Sequence, residues 1–181
     1  LRQALSGVRK SIGDRESGSP FLEISDAAIQ FRRSPDSWLD VDAFRFNLIA
    51  SREHTHPRGK ACLECAQRLE TAVELYKGEF MQEFFLPDCQ ALQEWILLSR
   101  EQQHRMLVSA LQELSETYQN LGDYETAQRH AWRMVNVAPI EESGHRQLMY
   151  LLAMSGRRSA ALAQYQTLRR ILYEELNVDP S

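Results

Sequence analysis

Cysteine is scarce, with three in 181 residues. A small, odd number in a chain long enough to bury its own core does not describe a disulfide framework, and it fits a reducing compartment. Long apolar runs are also lacking. No stretch approaches the roughly eighteen residues a membrane span needs, and the first residues carry no basic start, apolar run and small-residue cleavage pattern. The sequence therefore reads as cytoplasmic, with no membrane partner. There is no glycine-rich phosphate loop, no Gly-x-Ser-x-Gly elbow and no His-Glu-x-x-His pair. The carboxylate pairs Glu141-Glu142 and Glu174-Glu175 are sequence neighbours that point to different sides of a helix. Nothing nominates a nucleophile, acid or base, so the expectation is a protein that is not an enzyme, with no catalytic residue and no cofactor.

What is present is the balance of a folded protein, 43% hydrophobic and 25% charged. The net charge of −4 is uneven: Arg2, Arg9 and Lys10 make residues 1–12 basic, ahead of an acidic body. Leu1, Leu5, Val8 and Ile12 share one helical face, and Gly13-Asp14 stops the helix. The chain starts without methionine inside that helix, which suggests a piece of something longer. Phe21–Ile24 and Ala28–Phe31, joined through Ser25-Asp26-Ala27, carry the strand signal of the chain and read as a hairpin. From Leu39 to Leu176 the spacing is helical. Val41, Phe44 and Leu48 mark one helix; Cys65, Leu69, Ala72, Val73 and Tyr76 mark a second, with Gly78 placed as its cap. Beyond Pro87, the apolar periodicity from Leu92 to Leu121 predicts one unusually long helix.

Internal repetition decides the fold class. A shift of 34 residues lays Leu114 on Leu148, Tyr118 on Leu152, Gly122 on Gly156, Ala127 on Ala161 and Ala131 on Tyr165. That is the period of the tetratricopeptide repeat, a pair of antiparallel helices. Two such units cannot bury their own faces well, so the helices between 39 and 107 are expected to supply the missing packing. The predicted fold is mainly α: a tetratricopeptide-like helical repeat preceded by a short helix and hairpin.

Several segments, taken in order, resemble a known family. Val41-Asp42-Ala43-Phe44, Ala72 through Phe80, Glu94-Trp95, Leu121-Gly122-Asp123-Tyr124 with Ala127, His145 through Met149, and Glu174 through Ser181 look like the bacterial transcriptional activator domain. In that family the domain follows a response-regulator-type winged-helix domain, and the combination is similar to the antibiotic regulatory proteins (SARP) and AfsR-like activators. The resemblance implies that residues 1–33 are the end of a winged helix-turn-helix DNA-binding domain, its recognition helix and β-hairpin wing. Residues 34–181 would be the helical activator domain. It further implies a DNA-binding transcriptional regulator, an activator, that meets double-stranded DNA through the complete winged-helix domain. Its helical domain would mediate self-association or contact with a protein partner.

If the first helix enters a major groove, Arg2, Arg9 and Lys10 are the candidates for phosphate or guanine contact, with Gln3 and Ser6 beside them. The acidic wing tip at Asp26 departs from a basic one and would be repelled by phosphate. In the body, Gln112, Ser115, Glu116, Gln119, His145, Arg146, Met149 and Tyr150 are candidates for a groove that binds a partner. Trp38, Trp95 and Trp132 lie beside apolar residues and are expected in core or interdomain packing. His54, His56, Cys62 and Cys65 form the one cluster of metal-ligand residue types. Their spacing matches no standard zinc pattern, and Cys65 is in register with Leu69 and Ala72. The expectation is packed or half-exposed thiols and no metal. Two alternatives stay open: a tetratricopeptide-like interaction scaffold without DNA binding, and a thiol- or metal-dependent sensor.

Overall fold

A computed structural model describes residues 2–14, 20–25, 28–33, 37–55 and 62–181, and the chain divides into two compact units, Leu1–Leu39 and Asp40–Ser181. In the first unit the apolar spacing closes into α1, Arg2–Ser11, and the alternating segments become β1, Leu22–Ile24, and β2, Ile29–Phe31. The strands pair antiparallel with Leu22 opposite Phe31, Glu23 opposite Gln30 and Ile24 opposite Ile29. Phe21 and Phe31 stack across the hairpin, ring centroids 6.4 Å apart. Ser25 N–H donates to Ala28 O at 2.9 Å beside the tip, whose Asp26 lies outside the described residues.

The second unit is built from six helices: α2 (Asp40–Glu53), α3 (Leu63–Leu75), α4 (Gln90–Asn120), α5 (Tyr124–Val137), α6 (Glu142–Met154) and α7 (Arg158–Leu176). The expected long helix is α4, 31 residues in one piece. Neighbours in sequence pack as neighbours in space: α2 on α3, α3 on α4, α4 on α5, α5 on α6 and α6 on α7. The two repeat units are therefore the α4–α5 and α6–α7 hairpins. The α2–α3 hairpin supplies the additional packing that two units lack, burying Phe44, Leu48, Leu69 and Val73 with Leu107, Leu111 and Leu114.

The period of 34 holds down to single hydrogen bonds. Gly122 N–H donates to Gln119 O and Asp123 N–H to Tyr118 O, at 3.0 and 2.9 Å. One period on, Gly156 N–H donates to Ala153 O and Arg157 N–H to Leu152 O, at the same two distances. Both turns need a left-handed residue at the same place, φ +80° at Gly122 and +75° at Gly156, which glycine adopts without a Cβ clash. The periodicity weakens outward. Ala127 and Ala131 are buried between helices, whereas Ala161 is half-buried and Tyr165 exposed, because α7 leaves an outer face uncovered.

One capping expectation needs correcting. Gly78 does not close α3; the helix stops at Tyr76, in an extended conformation with φ −78° and ψ 95°. Its last carbonyls are satisfied by a side chain instead. Arg133 of α5 donates through Nη2 to Val73 O at 2.5 Å and to Tyr76 O at 3.2 Å. A cation at the negative end of a helix is also favoured by the helix dipole.

Candidate functional site

In the first unit one buried carboxylate organises the local structure. Asp14 accepts from Arg9 Nε through Oδ2 at 2.5 Å, and its Oδ1 accepts from the backbone N–H of Phe21 and of Leu22. Burial pushes the Asp14 carboxyl up, but the hydrogen bonds from Arg9, Leu22 and Phe21 outweigh it and hold the group below the usual carboxylate range. The end of α1 is thus tied to the start of β1. Of the candidate DNA contacts, Gln3, Ser6 and Lys10 are exposed on α1. Arg2 opens the helix, and Arg9 is half-buried with its Nε engaged by Asp14.

In the second unit the candidate groove residues separate into two groups. Gln112, Glu116, Arg146 and Tyr150 are exposed, and Gln119 and Met149 are half-buried. Ser115 and His145 are completely buried, so neither lines a groove. The correction has a physical reason, since each polar group answers a buried carbonyl. Ser115 Oγ donates to Ala127 O at 3.0 Å, binding α4 to α5. His145 Nε2 donates to Pro139 O at 3.0 Å, while its Nδ1 accepts from Gln164 Nε2 at 2.7 Å, which fixes a neutral tautomer. Burial lowers the His145 pKa, opposed by the Pro139 hydrogen bond. Gln147, which hydropathy reasoning passed over, joins the facing helices α4 and α6 by donating to Ser115 Oγ and Gln119 Oε1, at 3.1 and 2.9 Å.

A second buried network joins α3, α4 and α5. Tyr118 OH donates to Glu70 Oε1 at 2.8 Å and its ring stacks on His130, centroids 5.7 Å apart. Burial, reinforced by that hydrogen bond, pushes the Tyr118 hydroxyl up to about 12. Burial also pulls His130 down to about 4, helped by Arg129 and opposed by Glu70.

The tryptophans are not core residues. Trp38, Trp95 and Trp132 are all exposed, and Trp95 makes an edge-on contact with Phe80 at 5.4 Å. Phe84, Phe85 and Leu86 before α4, with Trp95, Leu97 and Leu98 in its first turns, are exposed apolar residues concentrated in one stretch of chain. The loop that carries the first three is held onto α4 by Arg100, whose guanidinium donates to Phe80 O and Met81 O, each at 2.7 Å. The sequence signal was there in Phe84-Phe85-Leu86 and Leu97-Leu98, adjacent apolar residues that no single helical face can bury.

The thiols occupy a position that linear spacing hid. Cys62 is not inside a helix but is the N-cap of α3, with Cys65 in its first turn. His54, just past the end of α2, faces both: its Nδ1 lies 3.2 Å from Cys65 Sγ and 3.5 Å from Cys62 Sγ. Its Nε2 lies 3.3 Å from Glu64 Oε2. The nearby backbone N–H of Cys65 pulls the Cys62 thiol below its usual range, against desolvation, while burial pushes Cys65 up. His56, the fourth residue of the sequence cluster, lies outside the described residues.

These features define a class: a helical-repeat domain with polar ties buried between its hairpins and an apolar stretch left on its surface. The family model described as the bacterial transcriptional activator domain matches residues 41–181, most of the chain and all but the first residue of its second unit. The chain belongs to that family, a regulatory and non-enzymatic one. No curated protein matches the chain. Among the described residues no helix, α4 included, is long and apolar enough to cross a membrane.

Proposed function

We propose that this chain is part of a cytoplasmic, DNA-binding transcriptional activator of the SARP and AfsR-like kind. Residues 1–33 serve as the recognition helix and wing of a winged-helix domain, and residues 34–181 as the contact domain. The observation that carries the first half is the Asp14 junction. It ties the end of an exposed, basic α1 to the start of an antiparallel hairpin, the order of elements a recognition helix and wing require. Val8, Ile12, Ile29 and Phe31 are exposed on these elements, which supports a unit whose apolar face is completed by further winged-helix structure. The second half rests on the exposed apolar residues Phe84, Phe85, Leu86, Trp95, Leu97 and Leu98, a surface suited to self-association or to a protein partner.

Lys10 and Arg9 are not equivalent in this reading. Lys10→Ala removes a phosphate contact alone, whereas Arg9→Ala also unties Asp14. Double-stranded DNA binding by the native protein that carries this chain, followed by fluorescence anisotropy across a salt series, separates the two. Lys10→Ala should weaken binding and reduce the slope of log K against log salt by about 0.9, one phosphate contact. An unchanged slope overturns the recognition-helix assignment. The second reading, an interaction scaffold without DNA binding, is favoured by the offset of the Arg9 charge by Asp14, which leaves Lys10 as the exposed cation at the end of α1.

A further inference from the structure

We propose that His54, Cys62 and Cys65 form a zinc-binding site that clips the end of α2 to the start of α3. Among the described residues these three offer one nitrogen and two sulfurs, all within 4.8 Å of one another. Their convergence has the dimensions of a tetrahedral ion. With zinc–sulfur bonds of about 2.3 Å and zinc–nitrogen bonds of about 2.0 Å, a ligand nitrogen and sulfur stand about 3.5 Å apart. The observed separations are 3.2 and 3.5 Å.

The surroundings of the imidazole argue for a metal over a chance meeting of polar side chains. A ligating histidine uses one ring nitrogen and donates the other N–H to a carboxylate, which fixes its tautomer and its aim. Here Nδ1 faces the two sulfurs and Nε2 faces Glu64 Oε2 at 3.3 Å. Glu64 is itself held by Arg68 Nη2, across one helical turn, at 2.9 Å. The orienting carboxylate is thus anchored independently of the histidine. Two thiolates and one imidazole are a borderline-soft set that selects zinc over magnesium or calcium. His54 and Cys62 are half-exposed, so the fourth position opens to solvent and takes a water.

The consequence lies in the fold. His54 follows α2 and Cys62 caps α3, so the ion spans the connection between two helices whose hairpin packs on α4. Metal binding then contributes to the stability of that hairpin, because an unfolded chain does not hold the three ligands together. This reading is independent of DNA binding by α1.

The test uses the full 181-residue chain, reduced, stripped with a chelator and titrated with Co²⁺ alone as an optical probe. Wild type should saturate at one equivalent, with a thiolate-to-cobalt charge-transfer band and tetrahedral d–d bands. Zn²⁺ should bleach both and raise the thermal midpoint. Cys62→Ser and His54→Ala should each abolish the stoichiometric site, with circular dichroism reading the fold of each apo variant. Should Cys62→Ser fail to fold, His54→Ala alone carries the test. Glu64→Gln should keep the stoichiometry and the bands while weakening the site about tenfold. The proposal is overturned if reduced wild type gives no charge-transfer band. Saturation beyond one equivalent, or bands that persist in folded His54→Ala, overturns it equally.

Discussion

His130 makes the helical body sensitive to acid, and the effect can be sized from its surroundings. The ring is buried between α3, α4 and α5, stacked on Tyr118, with Arg129 and Arg133 on its own helix and Glu70 facing it from α3. Desolvation and the arginine charges disfavour the imidazolium, Glu70 favours it, and the balance pulls the group from 6.5 down to about 4. The folded state therefore refuses a proton that the unfolded chain accepts below about pH 6.5. Stability is fully present above that pH and is lost as pH falls toward the folded value. The whole span is worth about 3 kcal/mol, and the part between pH 7 and pH 5 about 2 kcal/mol. His145, buried and also shifted down, adds to the slope in the same direction. The comparison that isolates His130 is with His130→Phe, which keeps a ring against Tyr118 and removes the titration. Urea unfolding followed by far-ultraviolet circular dichroism at pH 7, 6 and 5 should show wild type losing about 2 kcal/mol more than the variant. Parallel losses in the two proteins would refute the argument and assign the acid sensitivity elsewhere.

The two repeat units also predict unequal tolerance of the same substitution. Ala127→Leu places three extra carbons where Ala127 is completely buried and should cost about 1–3 kcal/mol, while Ala161→Leu, at a half-buried site, should cost less than about 1 kcal/mol. Thermal melts of the two variants check this, and equal midpoints would refute the difference in burial between the two repeat positions. Ser115→Ala leaves the Ala127 carbonyl without its hydroxyl donor and removes one of the two acceptors of Gln147, Gln119 Oε1 remaining. It should lower stability by about 1–2 kcal/mol in urea unfolding, and a wild-type midpoint would count against a tie between α4, α5 and α6.

What could be read from the sequence and what could not divide along a physical line. Features governed by contacts close in sequence were legible. The 31 residues of α4 follow from periodicity, and the turns at Gly122 and Gly156 follow from the need for a left-handed residue at a fixed offset. The repeat was legible because each unit copies the same local solution, down to the Leu114 and Leu148 positions, which are both completely buried. The errors came where a polar side chain finds its partner across a chain reversal. Hydropathy assigns Ser115 and His145 to the surface, and nothing within a turn of either contradicts it. Their partners are Ala127 O within α5 and Pro139 O in the connection from α5 to α6. Pro139 lies just past the cap of α5, and His145 answers its carbonyl from six residues away. The same reasoning explains the cysteines. Spacing within α3 puts Cys65 on the core face, which is correct. It cannot show that α2 reverses into α3 and delivers His54 to both sulfurs. A polar residue on an otherwise apolar helical face is therefore better read in this fold as a tie awaiting a partner on the adjacent helix. By that rule His145 and Ser115 are ties between neighbouring helices, and Gln147, which reaches from α6 to α4, is a third.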